Sequence, residues 1–482
     1  IVVPEIIVAT ESVDYGSGNW LILRPKFNIS FEKTLVSPSE VINHIKLNGM
    51  ALPDSCTISF DSATKTAVLA FNEDLETFTD YSISMIDYVD GDNATIKAPA
   101  ESFDFKTIPS DVIRGSGTEQ DPYLIYTEAH LKQLHQSEYG EGGHWFKQMS
   151  NIRLKDPWVP IGYNNGDGGF EHLFDGHYNG NGLEISNIVV EKSLDSFNGG
   201  IFGGTYFGEI YDLTLRDIDI TASYGVGTLV GYAEYTSIRD VTVCGNIKIK
   251  SNNDSIGGIV GFSRGGNISN CCVYSDNGLI DGWTSVGGLI GEAYETTITK
   301  SYSRISVQGW LYIGGLVGNM YYSNISNCYS NGPVIAPILE DVRSYQLGGL
   351  VGYATGVVSN KSYLTNCYYA GKIRLIVDEI RSLGVMIGKN SGPNEIENNF
   401  SKSEIELPCP IENYHSDTSS DGYDPSQPGQ PLWFNGDTNS YVYDTSGTNS
   451  IREGYDSSLN WDSDIWNLTQ GQLPTLKGLP GQ

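Results

Sequence analysis

A short apolar, glycine-rich phrase returns repeatedly along the middle of this 482-residue chain. It reads IGGIVG at 256–261, VGGLIG at 286–291 and IGGLVG at 313–318. Successive phrases are 27 to 36 residues apart when aligned on their last glycine, which is Gly203, Gly231, Gly261, Gly291, Gly318, Gly352 or Gly388. A period of about 30 residues predicts a solenoid, in which each repeat buries its apolar face by stacking on the next.

Other positions keep the same interval as the phrase. In five repeats an isoleucine lies seven residues after the last glycine, and a small or apolar residue lies three residues beyond that isoleucine. The position two residues past the isoleucine, or past its equivalent in later repeats, is Asn or Asp in all repeats but one, where it is Lys300. Its members are Asp212, Asp240, Asn270, Asn327, Asn366 and Asn398.

These offsets predict three short strands per repeat, stacked into coils about 4.8 Å apart so that every strand pairs with the coil above and below. Asparagine or aspartate at a fixed corner tolerates a left-handed backbone. Glycine in the phrase allows a close backbone approach where a Cβ would clash. A phosphate-binding loop is the competing interpretation, and it fails because no helix or P-loop lysine follows and because the phrase recurs in every coil.

Apolar and polar residues alternate strongly in residues 1–108. The segment KFNISF places Phe27, Ile29 and Phe31 on one face, and YSISMI repeats the pattern at 81–86. Short alternating strands separated by polar turns predict an antiparallel β-sandwich. The layout of this region resembles a bacterial immunoglobulin-like domain. Because the rest of the chain also reads as strands, the predicted fold class is all-β.

A short helix is predicted between the sandwich and the repeats. Within 115–136, Thr127 is a suitable N-cap, and Ala129, Leu131 and Leu134 follow on one side. A helix at this place would cap the first coil, whose ladder groups would otherwise be exposed.

The repeats and their flanks resemble the GLUG repeat of surface proteins, which also occurs in the stalk of streptococcal immunoglobulin A peptidases. The lead-in WVPIGYNNGDGGFEHLFDGHYNGNGLEISNIVV at 158–190 and the closing strand WDSDIWNLTQGQLPTLKG at 461–478 resemble the same group. The resemblance implies a right-handed parallel β-helix-like solenoid on secreted or outer-membrane-anchored proteins, often lipoproteins with an adhesin-like role. It implies no catalytic residues.

The chain is therefore divided into four parts. They are an immunoglobulin-like β-sandwich at 1–108, a lead-in with the capping helix and first coils at 109–197, the repeat solenoid of about seven coils at 198–400, and a loop-rich excursion with the closing strand at 401–482.

Charge and hydropathy bear on the possible partners of the chain and on its location. The chain carries 29 basic and 58 acidic residues, a formal charge of −29 that repels a phosphate backbone and argues against nucleic acid as a partner. No run of about 18 apolar residues occurs, so we expect no transmembrane span. The chain opens with IVVPEIIVAT and looks trimmed, so membrane anchoring would require a lipid signal at a missing N-terminus. We expect a secreted or cell-surface protein, specifically an outer-membrane lipoprotein of a Gram-negative bacterium.

Seven cysteines cannot all pair with one another. Cys271, Cys328 and Cys367 share one inward offset of the repeat. Parallel side chains on neighbouring coils hold their Cβ atoms near the coil spacing, which is too far for a disulfide. We predict free, buried thiols.

Signatures of catalysis and of metal binding are absent from the sequence. Neither HExxH nor GxSxG occurs. Asp462 with Asp464, and Glu404 with Glu406, are spaced to share a strand face, but such spacings are expected by chance among 58 acids. Asp87, Asp90 and Asp92 lack the spacing of an EF-hand loop and are interpreted as part of a turn. We predict no enzyme, no metal site and no cofactor.

Aromatic residues are the candidate binding groups. Trp283 and Trp310 each precede the first apolar position of their repeat by three residues, and Tyr294 and Tyr321 each follow the last glycine by three. Stacked rows of rings on a solenoid wall could face glycans or extracellular host proteins. The alternative is that these rings shield corners of the core.

The leading hypothesis is a non-enzymatic, adhesin-like protein that presents loops and aromatic rows to glycan or host-protein ligands. A carbohydrate-active parallel β-helix enzyme, either a polysaccharide lyase or a hydrolase, is the first alternative and would need convergent carboxylates in a groove. A purely structural stalk is the second alternative, and it would carry no concave aromatic surface.

Overall fold

The computed structural model describes residues 5–8, 20–21, 24–31, 41–76, 79–85, 88–89, 95–96, 102–107, 113–162, 172–191, 198–337, 346–375, 382–384, 386–397, 400–401, 404–406, 461–469 and 473–482. The chain forms two compact units, Ile1–Ile113 and Arg114–Gln482. Asp87, Asp90 and Asp92, and nearly all of the predicted excursion at 402–460, lie outside the described residues.

The first unit consists mainly of two β-sheets. Its elements are β1 (Glu5–Val8), β2 (Trp20–Leu21), β3 (Lys26–Ser30), α1 (Val41–His44), β4 (Ile45–Leu47), β5 (Met50–Ala51), β6 (Cys56–Asp61), β7 (Thr66–Phe71), β8 (Asp80–Met85), β9 (Tyr88–Val89), β10 (Thr95–Ile96) and β11 (Ser102–Thr107). One sheet has the order β1-β3-β7-β6 and is antiparallel. The other has the order β2-β11-β8-β4-β5, in which only β2 and β11 pair in parallel.

The buried side chains of this unit alternate along its strands. Phe27 and Ile29 on β3 are fully buried, as are Ile45 on β4 and Ile83 on β8, and all four belong to one apolar cluster drawn from both sheets. Phe105 on β11 packs on Phe27 with ring centroids 5.4 Å apart. The expected layers of short alternating strands are therefore present, while the likeness to an immunoglobulin-like domain stays a prediction.

The second unit is a succession of short strands after two short helices. Its elements are β12 (Tyr123–Ile125), α2 (Glu128–Gln133), α3 (Ser137–Gly140), β13 (Trp145–Gln148), β14 (Ile152–Arg153), β15 (His177–Val190), β16 (Asn198–Gly199), β17 (Phe202–Tyr206), β18 (Glu209–Ala222), β19 (Tyr224–Val226), β20 (Val230–Glu234), β21 (Ser237–Ser251), β22 (Asp254–Gly257), β23 (Val260–Arg264), β24 (Asn267–Ser269), β25 (Cys272–Asp281), β26 (Thr284–Gly287), β27 (Ile290–Tyr294), β28 (Thr297–Thr299), β29 (Tyr302–Gln308), β30 (Leu311–Gly314), β31 (Val317–Tyr321), β32 (Asn324–Ser326), β33 (Tyr329–Ser330), β34 (Val334–Ala336), β35 (Gln346–Gly348), β36 (Val351–Thr355), β37 (Tyr363–Thr365), β38 (Tyr368–Tyr369), β39 (Lys372–Leu375), β40 (Ser382–Gly384), β41 (Ile387–Ser391), β42 (Glu395–Glu397), β43 (Phe400–Ser401), β44 (Glu404–Glu406), β45 (Trp466–Asn467) and β46 (Thr475–Leu476).

Three parallel sheets form the walls of a solenoid. Wall A is a 19-stranded sheet that runs from β12 to β44. Wall B is the seven-stranded sheet β16-β19-β22-β26-β30-β35-β40, and wall C is the seven-stranded sheet β17-β20-β23-β27-β31-β36-β41. Each strand of walls B and C pairs with the equivalent strand one repeat later. The fold is all-β with a parallel β-solenoid of about seven turns, which confirms the predicted fold class.

The last glycine of every phrase is the second residue of a wall C strand, from Gly203 on β17 to Gly388 on β41. At Gly318, an added Cβ would overlap backbone atoms of Ser285 and Val286 in the preceding coil. Walls B and C therefore approach each other here more closely than any side chain permits. The phrase is a tight bend between the two walls.

The Asn/Asp corner has a left-handed backbone. The φ angle is 55° at Asn270, 53° at Asn327 and 54° at Asn366. Lys300 has a φ of 49° at the same corner, so the corner geometry persists where the residue type departs from the pattern. Asn270 Nδ2 donates a hydrogen bond to Asp240 Oδ1 one coil away, which is the kind of contact that side chains at a repeated corner can make.

Helix α2 forms where the sequence predicts it, directly after β12, the terminal strand of wall A. The Thr127 hydroxyl caps the helix by accepting a hydrogen bond from the backbone N of His130 at 3.2 Å. Leu131 and Leu134 are fully buried, as expected, and His130 is buried as well because its Nδ1 accepts from the backbone N of Tyr126. None of the helices in the described ranges is long and apolar enough to cross a membrane.

The predicted closing strand at 461–478 folds differently from the expectation. Strands β45 and β46 pair with each other in an antiparallel hairpin, and within the described residues neither joins a wall. Trp461, Trp466 and Leu476 of this C-terminal hairpin are buried against side chains of wall A. A hairpin rather than a further coil results because these apolar side chains have an aromatic surface on wall A to cover.

That surface is a tyrosine ladder made of Tyr302, Tyr329 and Tyr368, which occupy one register position in successive coils. Their rings are stacked, with centroids 4.8 Å apart between Tyr302 and Tyr329 and 4.7 Å apart between Tyr329 and Tyr368. Both ring pairs are parallel within 3°. The parallel register of wall A thus builds a flat aromatic face.

The cysteines within the described residues are free and buried, as predicted; they are Cys56, Cys244, Cys271, Cys272, Cys328 and Cys367. Cys409 lies outside that part of the chain. Burial raises the pKa of Cys272 to about 11, so little reactive thiolate exists at neutral pH. We expect Ellman's reagent to react very slowly with the native protein and to detect all seven thiols after unfolding without reductant. Detection of fewer than seven would contradict the absence of disulfides.

Candidate functional site

A group of tyrosines lies on walls B and C across three successive coils. This tyrosine cluster consists of Tyr294 on β27, Tyr312 on β30, Tyr321 and the adjacent Tyr322 at the end of β31, and Tyr353 on β36. Tyr294 pairs with Tyr321 in the wall C register, with ring centroids 6.3 Å apart. The centroid distances are 5.5 Å for Tyr294–Tyr322, 6.1 Å for Tyr321–Tyr353 and 5.0 Å for Tyr312–Tyr353. These distances lie in the range of roughly 4.5–7 Å for interacting rings, so the cluster is one connected surface.

A second group, the aromatic corner, occupies the equivalent place on earlier coils and consists of Tyr206, Phe207 and Tyr235. Phe207 and Tyr235 stack with centroids 4.9 Å apart. Phe207 is 59% exposed and Tyr235 is 42% exposed. Both have left-handed backbones, with φ angles of 55° and 50°, and Tyr322 has 51° at the same corner. Such a conformation costs roughly 1–2 kcal/mol per non-glycine residue. Glu295 has a φ of 50° at the same corner, so the coil imposes this conformation and displays the rings of Phe207 and Tyr235 at its bend.

Arg264 on β23 lies between the aromatic corner and the tyrosine cluster. In wall C it follows Glu234 and precedes Tyr294. Its guanidinium is 3.5 Å from the carboxylate of Glu234 and 5.6 Å from the ring centroid of Tyr294. The cation is therefore engaged by a carboxylate on one side and an aromatic face on the other.

A half-buried carboxylate adjoins the tyrosine cluster. Glu292 on β27 accepts hydrogen bonds from the hydroxyls of Ser255 and Ser285, both at 3.4 Å. Burial raises the pKa of Glu292, and the negative charge of Asp254 adds to the shift, whereas the serine hydrogen bonds act in the opposite direction. The desolvation of the carboxylate thus outweighs the hydrogen bonds that it accepts from these serines and from Asn319.

Asn319 pairs with Glu292 in the wall C register. Its side chain is 2% exposed and donates to the side chains of Glu292 and Tyr321. Its Oδ1 atom is buried and has no hydrogen-bond partner among the residues that the structure describes. Burial raises the pKa of Tyr312 and Tyr321, and the charge of Glu292 contributes to both shifts.

The two predicted tryptophans meet as expected from their shared offset. Trp283 and Trp310 have ring centroids 4.0 Å apart at an interplanar angle of 58°. Trp283 is 41% exposed, whereas Trp310 is half-buried and its Nε1 has no hydrogen-bond partner. The pair precedes β26 and β30 of wall B, and Trp310 stands two residues before Tyr312 of the tyrosine cluster.

The repeat offsets identified Tyr294 and Tyr321 as candidate binding residues. They did not identify the residues that join these two tyrosines into one surface. Glu292, Asn319 and Tyr353 all stand one residue after the last glycine of their phrases, as do Tyr232 and Phe262. Tyr232 and Phe262 stack with centroids 5.1 Å apart. The signal was available in the sequence, because this repeat position is large or polar from Tyr232 to Tyr353 while the residues on either side of it are small or apolar.

One of the two acidic pairs differs from its predicted arrangement, and the other lies on a strand as predicted. Asp462 and Asp464 precede β45 in a turn, where Asp462 Oδ1 accepts a hydrogen bond from the backbone N of Asp464 at 2.8 Å, so they do not share a strand face. Glu404 and Glu406 belong to β44. In the ranges that the structure describes, no group of three or more His, Cys, Asp or Glu side chains could hold a metal ion.

Comparison with known proteins identifies a motif and distant relatives. A family model described as the GLUG motif matches residues 311–335. Halomucin of Haloquadratum walsbyi is 31% identical over 261 residues, which are 48% of this chain and 3% of halomucin. A protein of Evansella cellulosilytica, provisionally named a Gly-rich membrane protein, is 35% identical over 128 residues, which are 24% of this chain and 13% of that protein. The matches thus span only a small part of either relative.

Two solved structures align with this chain at low identity and low TM-score. A Bacteroides ovatus protein provisionally named an immunoglobulin A1 protease aligns at 18% identity with a TM-score of 0.44, covering 75% of this chain and 94% of that one. An IgA1 protease aligns at 15% identity with a TM-score of 0.40, covering 75% of this chain and 28% of that one. At these values the likeness supports no statement about activity.

The halomucin and membrane-protein similarities are consistent with a secreted or surface protein. The matched segment 311–335 corresponds to a single repeat, from β30 into β34. The matched motif and the stacked parallel coils together support a GLUG-repeat β-helix protein.

Proposed function

We propose that this chain is a non-enzymatic surface protein that uses its β-solenoid to present the tyrosine cluster to glycan ligands. The observation that carries the proposal is the connected ring surface, which is built across three coils from wall positions in register. Tyrosine combines a flat apolar face with a hydroxyl group, and this combination suits a sugar ring, which has an apolar face and a rim of hydroxyls.

The regular coils of the solenoid suit a ligand with a repeating chemical structure. Coils about 4.8 Å apart hold successive rings at a regular spacing. The strands that carry Tyr294 and Tyr321 pair with neighbouring strands on both sides, so their backbone is fixed before any ligand arrives. Preorganised rings lose little conformational entropy on binding, which favours affinity.

The proposal includes no chemical step. Glycoside hydrolysis by a β-helix enzyme requires two carboxylates that flank the scissile bond. Beside the tyrosine cluster, Glu292 accepts hydrogen bonds from two serines, an arrangement suited to holding a ligand. The predicted pair Asp462 and Asp464 is engaged in a local turn. These observations favour binding over the alternative of a lyase or hydrolase.

Secretion or display at the cell surface, anchoring as an outer-membrane lipoprotein and adhesion to host proteins belong to the same proposal. The similarities to halomucin and to the Gly-rich membrane protein support the surface location.

Replacing Tyr294 and Tyr321 together by alanine is expected to weaken glycan binding about thirtyfold or more, because truncating a central aromatic contact removes about 2 kcal/mol or more. A glycan array identifies the bound saccharides, and calorimetry with the best of them measures the change in affinity.

Tyr363→Ala is the matched control, since Tyr363 is 39% exposed on β37 of wall A. It should bind as the unchanged protein does, and circular dichroism should show that both variants fold.

If the double variant retains full affinity, the tyrosine cluster is not the site. If glycan affinity falls only when Trp283 and Trp310 are both replaced by alanine, the tryptophan pair is the binding site. An unchanged protein that binds nothing on the array would refute the proposed function.

A further inference from the structure

We propose that Glu292 and Asn319 form a subsite of the tyrosine cluster that binds the protonated amine of an amino sugar. This inference rests on the proposed glycan-binding function and specifies the chemical class of the ligand. Glu292 and Asn319 would then contact the ligand, which accounts for two polar side chains beside a surface of aromatic rings.

The first argument is the lack of a cation opposite Glu292. Its hydroxyl donors, Ser255 and Ser285, are neutral, and both hydrogen bonds are long at 3.4 Å. Within the described residues, no lysine, arginine or histidine forms a salt bridge with it. Arg264, on the preceding wall C strand, is held by Glu234 and the face of Tyr294. A half-buried carboxylate in this state gains more from an incoming cation than from a further neutral donor.

The second argument is the orphaned acceptor on Asn319. A buried carbonyl oxygen without a partner costs about 1–3 kcal/mol, and native structures contain few of them. Asn319 is 2% exposed, its amide donates towards Glu292 and Tyr321, and its Oδ1 atom is unpartnered. An ammonium group has three donors, so it can serve the carboxylate and the amide oxygen together.

The third argument is the aromatic surroundings. Glu292 pairs in the wall C register with Asn319, and Asn319 pairs with Tyr353, whose ring stacks on that of Tyr312 with centroids 5.0 Å apart. The faces of aromatic rings attract cations, with a gain of about 0.5–2 kcal/mol that increases as water is excluded. The formal charge of −29 adds a long-range attraction for positively charged ligands.

A divalent metal ion fits this subsite less well. Calcium takes about six to eight oxygen ligands, usually several carboxylates. The described residues contain no group of three or more His, Cys, Asp or Glu side chains suited to a metal. One carboxylate, one amide oxygen and the faces of the neighbouring rings match an alkylammonium group instead.

The test compares glucosamine oligosaccharides with their N-acetylated counterparts of equal length, using the full chain and calorimetry. The unchanged protein should bind the free-amine form about tenfold more tightly, as expected for one charge-assisted hydrogen bond. Glu292→Gln keeps the size of the side chain and removes its charge. It should abolish this preference, so that the free-amine and N-acetylated forms bind with similar affinity.

Glu138→Gln serves as the matched control, because Glu138 is exposed and lies on α3, which precedes the strands of wall C in the sequence. It should preserve the preference for the free amine. Asn319→Asp adds a second carboxylate at the subsite and should increase the preference, which a merely structural role of Asn319 would not do.

The preference should also fall as the pH is lowered, because protonation removes the charge of Glu292 while the amine stays protonated. Burial raises the pKa of Glu292, so the loss should begin at a higher pH than for an ordinary glutamate. Among the described residues, the titratable groups that interact electrostatically with Glu292 are Asp254, Tyr312 and Tyr321, and neither phenol ionises in the acid range.

Two outcomes separate this inference from the proposed function. If the unchanged protein binds both sugars equally, or if Glu292→Gln retains the preference, the amine subsite is refuted and glycan binding stands. If no glycan binds at all, the proposed function fails and the subsite fails with it. Equal affinity for a lysine oligomer of the same charge would overturn the assignment to a sugar.

Discussion

Trp466→Ala is expected to lower the free energy of unfolding by about 3–5 kcal/mol, the range for truncating a buried large aromatic side chain. Trp466 is 1% exposed. Its ring centroid is 4.6 Å from that of Trp461, 6.2 Å from that of Tyr329 and 6.0 Å from that of Tyr368. Its Nε1 also donates to Asn327 Oδ1 at 3.3 Å, so the substitution removes a hydrogen bond together with the packing.

The effect should be large because the C-terminal hairpin bridges several coils of wall A. The Tyr368 hydroxyl donates to the backbone O of Pro474 at 2.7 Å, and the Tyr329 hydroxyl donates to Gln482 Oε1 at 3.1 Å. The Tyr302 hydroxyl donates to the backbone O of Pro480. Loss of the hairpin would expose the tyrosine ladder, whose rings are otherwise fully buried.

Urea unfolding followed by circular dichroism measures the change in the free energy of unfolding. Trp283→Ala is the control, because Trp283 is 41% exposed and its truncation should cost about 1 kcal/mol or less. Limited proteolysis should release the C-terminal segment from Trp466→Ala and spare it in the control. Equal stability of the two variants would mean that the hairpin does not clamp the coils in solution.

Gly318→Ala is expected to lower the free energy of unfolding by about 3 kcal/mol, at the upper end of the range for overpacking, although it adds only one methyl group. The added Cβ would overlap the backbone of Ser285 and Val286, and it would lie 2.7 Å from the carbonyl oxygen of Gly291. Backbone atoms of paired strands cannot move aside as a flexible side chain can. Relief would require walls B and C to separate in two adjacent coils.

Gly208→Ala is the matched control for this prediction. A Cβ at Gly208 would lie 3.3 Å from the nearest atom, the backbone O of Gly176, and Gly208 has no left-handed backbone that alanine would strain. Thermal unfolding of both variants should show a clear fall in Tm for Gly318→Ala and a small change for Gly208→Ala. Equal shifts would contradict the close approach of the two walls.

The repeat register could be predicted from the sequence because stacking in parallel requires equal offsets. Ile268, Ile298 and Ile325 share one offset, and the structure pairs them in neighbouring strands of wall A. The left-handed corner at Asn270 and Asn327 follows the same logic, since the backbone repeats with the sequence. Lys300 shows that the corner conformation belongs to the coil and is imposed even on an unsuited residue.

The candidate site was only partly predictable. Tyr294 and Tyr321 could be paired from their common offset, and the structure brings them into one cluster. Glu292 could not be connected with Ser255, because the two belong to different walls of different coils and are 37 residues apart. No period relates them, and their contact depends on how tightly walls B and C bend together.

The sequence by itself determined the all-β class, the coil period, the corner residues and the helix at Thr127, because each depends on local conformation or on equal spacing along the chain. The tertiary structure alone decided where the C-terminal hairpin docks and what surrounds Glu292. The partners of the tyrosine ladder lie 106 to 178 residues away in the sequence, and the approach of walls B and C places Ser255 and Asn319 on either side of one carboxylate. Contacts of this kind arise from packing between surfaces, and packing depends on the three-dimensional shape of both surfaces, which no spacing along the chain records.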